Sequence, residues 1–355
     1  MSPTAAPLSF AEAVDRLPKV ELHVHVEGTM RRSTVVELAA RNGVPLPTTD
    51  LDELYRYTSL DTFLEVFWLV QSTLGSRADW ARLGYESVVD GAAHGRVHAE
   101  TFFTPARHLA TGQSLADIVA GLAEGVAAGD AETGATTLLI CDADRAYGPA
   151  AAQQLADELV ELRRASAAGI ERVVGFGMDS TERGVDPATF APAFATARAA
   201  GLRCTAHQGE DTPASAIATV VDVLGAERVD HGLSVLDDPE LVRRLAADRV
   251  PLTVCPTSNV VIANRVPELR SHPLPAMRAA GLLTSINTDD PALTDLDLGR
   301  EHVACAEAFA WGWDDVVDVV LDGVASSWLD EADQRALAAR VHAEADRLRP
   351  QMDHA

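Results

Sequence analysis

The chain has 355 residues, of which 47% are hydrophobic, and its 29 Lys and Arg against 53 Asp and Glu leave a net charge of −24. This charge repels nucleic-acid phosphates and anionic membrane surfaces, so it disfavours nucleic-acid binding, and no apolar run approaches the roughly 20 residues of a membrane span. The four cysteines are widely spaced without a C-x-x-C pair, which predicts reduced thiols in a cytoplasmic protein.

Short apolar runs of strand character recur along the chain, and amphipathic, Ala-rich stretches of helical character separate them. There are eight such runs: Val20–Val26, Val97–Phe103, Thr136–Cys141, Arg172–Met178, Leu202–Ala206, Arg228–His231, Val250–Cys255 and Leu282–Asn287. Strands that alternate with helices predict parallel βα units, and eight of them favour a closed (β/α)8 barrel of the TIM type, an α/β fold, over an open sheet. Without an internal repeat or a composition break, residues 1–355 are predicted to form one domain.

Two segments are longer than the minimal strand–helix repeat requires. Residues 28–96 contain at least three helical patterns, including Thr62–Leu74 and Ala78–Ala93. This segment follows the first strand on the side where barrel enzymes build their active sites, so it is predicted to be a helical lid over the mouth. Residues 299–348 predict two or three additional C-terminal helices that pack across the barrel.

The first predicted strand ends in His23-Val24-His25, which is followed by Glu27-Gly28. Residues i and i+2 of a strand point to the same face, so the two imidazoles are expected to converge inside the barrel. An H-x-H pair is a weak signal by itself, and its weight comes from the polar residues that end the later strands.

These later strand ends carry side chains that can bind a metal or move protons. The fifth strand ends near His207, with Glu210 three residues on, the sixth at His231, and the eighth in Asp289-Asp290. Taken singly, each of these residues has a structural explanation, either as a buried histidine with its hydrogen bonds satisfied or as an aspartate that caps the next helix. Together they lie where a barrel concentrates its functional groups, and three imidazoles with a carboxylate suit zinc with an open position for water. Glu210 and His231 are the candidates for proton transfer, which predicts a metal-assisted hydrolase.

Two other kinds of metal site are excluded by the residue types. Binuclear barrel hydrolases commonly bridge their metals with a carboxylated lysine at the end of the fourth strand, but here that strand ends in Gly177–Ser180 and the only lysine is Lys19. The cytidine-deaminase-like zinc site combines H-x-E with P-C-x-x-C. His98-Ala99-Glu100 offers the first half, but the chain has no C-x-x-C.

The ordered motifs resemble those of the adenosine deaminase family in the amidohydrolase superfamily, from about Pro18 to Arg300. The segments that carry the resemblance are Lys19–Gly28, His207–Glu210, Asp230–Gly232, Cys255–Asn259 and Asn287–Pro291. The resemblance implies four ligands for one zinc ion per chain, namely His23, His25, His207 and Asp289. It also implies that Glu210 shares a proton with purine N1, that His231 orients the attacking hydroxide and that Asp290 hydrogen-bonds N7.

The reaction implied by this resemblance is hydrolytic deamination of a 6-aminopurine, adenine or adenosine, to hypoxanthine or inosine with release of ammonia. Glu27 replaces the family's usual Asp, and the added methylene would push its carboxylate about 1.5 Å into the sugar pocket. Ser180 replaces the glycine whose backbone N–H meets purine N3. Both features resemble the adenine deaminase branch, whereas Gln208 replaces the family's common Ala and residues 292–298 resemble the nucleoside-acting members more.

The residues expected to contact the purine base or nucleoside are Asp290, Ser180, Gly209 and Glu27. A modified adenosine, such as an aminofutalosine-type intermediate or an N6-substituted purine, is an alternative substrate. A catalytically silent metal-binding barrel and a structural scaffold with merely buried His and Asp are alternatives of other classes. No ligand or acid position of the family is lost in the chain, which favours the enzyme.

Overall fold

Eight parallel strands pair in sequence order in a computed structural model that describes residues 7–263 and 265–352. The strands, β1 to β8, are Lys19–Glu21, Arg96–Phe103, Thr136–Asp144, Val173–Asp179, Arg203–Gln208, Arg228–His231, Leu252–Val254 and Thr284–Ile286. Each strand pairs in parallel with the next along the chain, which confirms the (β/α)8 barrel. Residues 1–6, 264 and 353–355 of the predicted domain lie outside the described residues, and its extent stays a prediction.

The barrel closes between β8 and β1 through irregular contacts just beyond the two strands. The His25 N–H donates to the Asp289 carbonyl at 2.9 Å, and the Asp289 N–H donates to the His23 carbonyl at 3.1 Å. Immediately before His23, the Leu22 N–H donates to the side-chain oxygen of Asn287 at 2.7 Å. A side chain therefore takes the place of a ladder carbonyl at the point of closure.

Several strand ends differ from the sequence-based expectation. The first predicted run, residues 20–26, contains only the end of β1, which stops at Glu21 because side chains replace its regular ladder. β3 and β4 instead run past their predicted ends to Asp144 and Asp179, since these residues stay paired in the β3–β4 register. Two carboxyl groups are thereby added to the carboxyl ends of the strands.

Helices surround the barrel and cross its ends. Those before β4, α1 to α8, are Phe10–Arg16, Arg32–Asn42, Leu51–Leu54, Leu60–Gln71, Arg77–Ala93, Ala106–Ala110, Leu115–Thr133 and Gly148–Arg164. Those after β4, α9 to α16, are Ala191–Ala199, Ala214–Thr219, Pro239–Asp248, Pro256–Val261, Leu274–Ala279, Leu298–Phe309, Trp313–Ser326 and Glu331–Leu348. Within the described ranges, none of them is both long and apolar enough to span a membrane.

The long connection from β1 to β2 contains four helices, α2 to α5. α5 leads into β2 and packs along α7, so it occupies a place in the outer helical ring, whereas α2, α3 and α4 are additional. A capping box of Ser59 and Thr62 begins α4, whose Phe63 and Phe67 are buried over the mouth of the barrel. The helices inserted after β1 are confirmed, and their movement as a lid stays a prediction.

The additional helices at the C-terminal end are also confirmed, as α14, α15 and α16. α15 packs on β8 and β1. Together with α16 it joins α1 in a second apolar cluster, in which Val14, Val316 and Val341 are buried. This cluster is built from residues next to β1, so the C-terminal helices support the strand that carries the H-x-H pair.

Small residues permit α5 and α7 to approach closely. Gly121, Gly125 and Gly129 recur at every fourth position of α7, so they lie on one face of the helix. A Cβ atom at Gly125 would overlap the carbonyl oxygen of Ala81 in α5. The packing distance of the two helices therefore depends on a missing side chain.

Gly125→Ala is expected to lower the free energy of unfolding by about 1–3 kcal/mol, because the added methyl overpacks the interface between α5 and α7. At a helix position where no neighbouring backbone lies close, Gly→Ala would raise the free energy of unfolding by roughly 1 kcal/mol. The sign of the change therefore shows whether the two helices pack closely at Gly125. Urea denaturation of the purified proteins measures it. Ala127→Gly, at an exposed position of α7, is the control for helix propensity alone. A Gly125→Ala protein at least as stable as wild type would contradict the close packing.

Candidate metal and active site

Four buried side chains converge at the carboxyl ends of the strands. One donor atom from each of His23, His25, His207 and Asp289 lies within 4.8 Å of every other. The Nε2 atoms of His25 and His207 are 3.1 Å apart, and Asp289 Oδ1 is 3.4 Å from Nε2 of both His23 and His25. The structure thus brings together all four residues that the sequence predicted as metal ligands.

The hydrogen bonds around these imidazoles suit a bound cation. His207 Nδ1 lies 3.2 Å from the Met178 carbonyl, which can only accept, so Nδ1 carries the proton and Nε2 presents its lone pair. His23 Nε2 is buried without a hydrogen-bond partner in the described structure. A metal ion between these rings would accept the lone pairs of His207 Nε2 and His23 Nε2, and that of His25 Nε2, which lies 3.1 Å from His207 Nε2. Imidazole nitrogens and carboxylate oxygens are both ligand types that zinc accepts in proteins.

Burial and neighbouring groups together favour the metal-binding protonation states of His25, His207 and Asp289. Burial lowers the pKa of His25 to about 3 and, with the neighbouring imidazoles, holds the pKa of His207 well below its usual range. Burial alone would raise the pKa of Asp289, but the imidazoles of His23, His231 and His25 outweigh it and hold that pKa well below its usual range. Neutral imidazoles and an ionised carboxylate are the metal-binding forms.

A second group of buried side chains lies beside the ligands. Asn259 Nδ2 donates to Glu210 Oε1 at 2.8 Å, and His231 Nδ1 lies 3.6 Å from the same oxygen. Burial raises the pKa of Glu210 to about 7. Burial opposes the charge on His231, but the carboxylates of Glu210 and Asp289 raise the pKa of its imidazole overall. The pair therefore places a carboxyl group with a pKa of about 7 beside an imidazole whose pKa is raised.

Glu182 holds the turn that carries Glu210. Its buried carboxylate accepts the Glu210 N–H at 3.0 Å, the Gly209 N–H at 2.9 Å and the Gln208 side-chain amide at 3.1 Å. The Thr212 hydroxyl also donates to it. Sequence reasoning did not identify Glu182. The only signal was a carboxylate shortly after the end of β4, a position where surface residues are common.

The cavity next to the four ligands opens under α4. Its lining residues outside the ligand set include Phe63, Phe67, Trp68, Thr104, Asp144, Asp179, Ser180, Glu210, His231, Ser258, Ile262 and Asp290. Ser180 and Asp290 therefore reach the cavity as the sequence predicted. Glu27 and Gly209 are absent from its lining, because Glu27 Oε1 accepts the Thr104 N–H at 2.8 Å and the Gly209 N–H donates to Glu182.

Asp144 and Asp179, the last residues of β3 and β4, bring two carboxyl groups to the cavity that sequence reasoning missed. The Thr104 hydroxyl donates to Asp179 Oδ2 at 2.5 Å, while Asp179 Oδ1 has no partner in the described structure. Burial raises the pKa of Asp179 to about 8 and that of Asp290 well above its usual range. The cavity thus holds several carboxyl groups that stay protonated near neutrality.

Three residues of the cavity adopt left-handed backbone conformations that L-amino acids rarely take. The φ angles are 74° at Ser180, 64° at His231 and 65° at Asp289. Each such residue costs of order 1–3 kcal/mol, and such conformations persist where the surrounding structure enforces them, often at functional sites. All three residues were predicted from the sequence as site residues, and the strain lies where their side chains turn toward the cavity.

Comparisons with known proteins agree with this geometry. The adenosine deaminase family model matches residues 18–344. Adenine deaminase from Streptomyces coelicolor is 38% identical over 346 residues, which cover 95% of this chain and 97% of that protein. The crystal structure of adenine deaminase from Arthrobacter aurescens has a TM-score of 0.88 at 34% identity and covers 93% of this chain and 99% of that chain. The crystal structure of a zinc-bound amidohydrolase from Burkholderia ambifaria has a TM-score of 0.88 at 31% identity. The match covers 98% of this chain and 96% of that chain.

Glu182→Gln is expected to lower the free energy of unfolding by about 1–3 kcal/mol, because a carboxamide offers one oxygen where two backbone N–H groups need acceptors. Its NH2 group would face one of these donors. Urea denaturation compares the variant with wild type and with Glu307→Gln, which makes the same change at an exposed position. A loss no larger than that of Glu307→Gln would mean that Glu182 does not hold the turn.

Proposed function

Because the chain belongs to the adenosine deaminase family, we propose that it hydrolyses the 6-amino group of a purine, with the free base adenine as the preferred substrate. The chain is an aminohydrolase of the adenine and adenosine deaminase type. The observation that carries the proposal is the set of three imidazoles and one carboxylate beside a buried glutamic acid whose pKa is about 7. These groups supply both functions that deamination of an aromatic amine needs, namely activation of water and protonation of the ring.

The metal is proposed to be one zinc ion per chain, held by His23, His25, His207 and Asp289. The donor set and the zinc bound in the Burkholderia ambifaria relative support this assignment. A zinc ion at such a site acts as a Lewis acid and lowers the pKa of a coordinated water from about 15.7 to about 7. Ser258 donates to Asp289 Oδ2 at 2.7 Å, which leaves Oδ1 directed at the imidazoles.

Glu210 and His231 move the protons in the proposed reaction. The Glu210 carboxyl gives its proton to ring N1, which makes C6 electrophilic, while His231 takes a proton from the water that attacks C6. His231 then protonates the amino group, so that the C–N bond breaks and ammonia leaves. The Glu210 carboxylate recovers a proton from the new hydroxyl group as the 6-oxo product forms. The side-chain amide of Asn259 holds both groups in place.

Asp290 and Ser180 are proposed to orient the ring. A raised pKa keeps the Asp290 carboxyl protonated, so it can donate to purine N7, which only accepts. Ser180 lines the same cavity and is assigned to the N3 edge. Gly209 acts through the turn that Glu182 holds, since its N–H is already used there.

The free base is favoured by the carboxyl groups at the β3 and β4 ends of the cavity. Carboxyl oxygens of Asp144 and Asp179 can accept the ring N–H at position 9 that a free base has and a nucleoside lacks. Glu27 supports this end, because its longer side chain reaches the N–H of Thr104, whose hydroxyl binds Asp179. Relatives from Streptomyces coelicolor and Caulobacter vibrioides, each matching 95% of the chain, are named adenine deaminases, which agrees with this assignment.

Glu210→Gln is expected to retain its metal and to lose about 10²–10⁴-fold in kcat, because the amide cannot give a proton to N1. In wild type, kcat/KM should fall as pH rises through about 7, since the protonated form of Glu210 is the active one in the free enzyme. Loss of adenine absorbance measures turnover, and metal analysis should find one zinc per chain in both proteins. A variant with more than a tenth of wild-type kcat would remove Glu210 from this role.

Glu27→Asp is expected to lower the ratio of kcat/KM for adenine to that for adenosine, because the shorter side chain no longer supports Thr104 at the N9 end. Initial rates on adenine, adenosine, 2′-deoxyadenosine and N6-methyladenine, for wild type and variant, measure the preference. An unchanged ratio would exclude Glu27 as a determinant.

The same rates test the alternative functions. A wild-type preference for the N6-substituted purine would favour the modified-substrate alternative, and zinc-loaded protein without turnover of any purine would favour a silent metal-binding barrel.

A further inference from the structure

A carboxylate lies beneath the metal ligands and has no part in the reaction described above. Asp230 in β6 is fully buried and accepts one hydroxyl on each of its oxygens. Thr205 in β5 donates to Oδ2 and Thr253 in β7 donates to Oδ1, both at 2.7 Å. The two threonines are themselves fully buried, so the carboxylate is held between matched donors from the two neighbouring strands.

Only one of these hydroxyls also contacts a metal ligand. Thr253 Oγ1 lies 3.2 Å from His23 Nδ1. The one proton of the Thr205 hydroxyl, by contrast, has a second and more distant acceptor, the backbone carbonyl of Arg228 at 3.1 Å. The structure therefore contains a chain from Asp230 through Thr253 to His23, together with a nearly identical threonine that stands outside it.

The direction of the hydrogen bonds in this chain follows from counting donors. A threonine hydroxyl has one proton, and Thr253 donates it to Asp230 Oδ1. The lone pair of Thr253 then faces His23, and His23 Nδ1 must carry a proton to complete the contact. The Nε2 atom of His23 is left with a free lone pair, directed at the group of metal ligands.

The other two histidine ligands are held differently. His207 Nδ1 donates to the Met178 carbonyl, and its 3.7 Å separation from Asp230 Oδ2 is beyond a hydrogen bond. His25 Nδ1 has no hydrogen-bond partner within the described ranges. Among the three histidine ligands in the described structure, His23 is the one that a side-chain hydroxyl connects to a buried carboxylate.

We propose that Thr253 is a positioning residue of the metal centre. Its hydroxyl forms a hydrogen-bond relay from the Asp230 carboxylate to His23 and so sets the tautomer and orientation of that ligand. The inference rests on the metal centre of the proposed function and adds the group that prepares one of its ligands. Carboxylate contacts to metal-bound histidines raise ligand basicity, and their loss typically costs 10- to 100-fold in metal affinity. Here a hydroxyl stands between the two groups and transmits the effect.

Zinc affinity of the whole chain, measured by competition with a chromogenic chelator, tests the relay without any use of substrate. Thr253→Val keeps the shape of the side chain and removes the hydroxyl, and it is expected to weaken zinc binding by about 10- to 100-fold. Thr253→Ser is expected to restore affinity close to wild type. The matched control is Thr205→Val, which removes the other donor to Asp230 and leaves His23 untouched, so its affinity should stay close to wild type.

Each other outcome overturns a specific statement. Wild-type zinc affinity in Thr253→Val would refute the relay. An equal loss of affinity in Thr205→Val would also refute it, because the loss would then come from removing either donor to Asp230 and not from the contact with His23. Absence of zinc binding in wild type would instead refute the metal centre and the proposed function. If a valine variant does not fold, Thr253→Ala and Thr205→Ala make the same comparison. The downfield Nδ1–H resonance of His23 in zinc-loaded protein gives a second readout, expected to be retained in Thr205→Val and lost in Thr253→Val.

Discussion

The closure of the barrel between β8 and β1 is the constraint on which the metal site depends. Backbone hydrogen bonds connect His25 to Asp289 and Asp289 to His23, so the main chain holds three of the four ligands together. A slip of one residue in this pairing would turn both imidazoles away from the site, because successive side chains of a strand point to opposite faces. β5 then brings His207 to within 3.1 Å of His25. The site is therefore as rigid as the sheet that forms it.

Burial also makes the charge of each ionisable group in the site depend on its neighbours. Desolvation disfavours every charge, so His25 stays neutral and Asp290 keeps its proton. Asp289 is ionised in the same surroundings because imidazoles surround it. The result is a division that suits hydrolytic deamination, since the metal ligands present lone pairs while Glu210 holds a proton for the ring. Desolvation, modified by a few contacts, therefore favours both the metal-binding forms of the ligands and the protonated form of Glu210.

The barrel and its ligand set could be predicted from the sequence because both depend on local patterns. Apolar runs separated by amphipathic stretches predict the strands, and the carboxyl ends of parallel strands meet at one end of a barrel. His23, His25, His207 and Asp289 each stand at or just beyond such an end, so their convergence follows from strand order, and the family resemblance distinguished these four from the other polar residues there. Glu210 could be identified for the same reason, as an acid three residues after a strand-end histidine.

The orientation and support of these residues were decided only by tertiary contacts. Glu27 and Gly209 lie close to the site in sequence, yet neither lines the cavity, and each has a polar group bound to a distant residue, Thr104 and Glu182 respectively. Thr253 meets His23 across 230 positions of the chain, and Glu182 is one of many surface-type acids until the fold places it under Glu210. Periodicity reports which face of a strand is buried, whereas the partner of a hydrogen bond depends on which strands become neighbours. The sequence by itself therefore determined the elements and the ligand types, and the packing of distant strands determined their protonation states and supports.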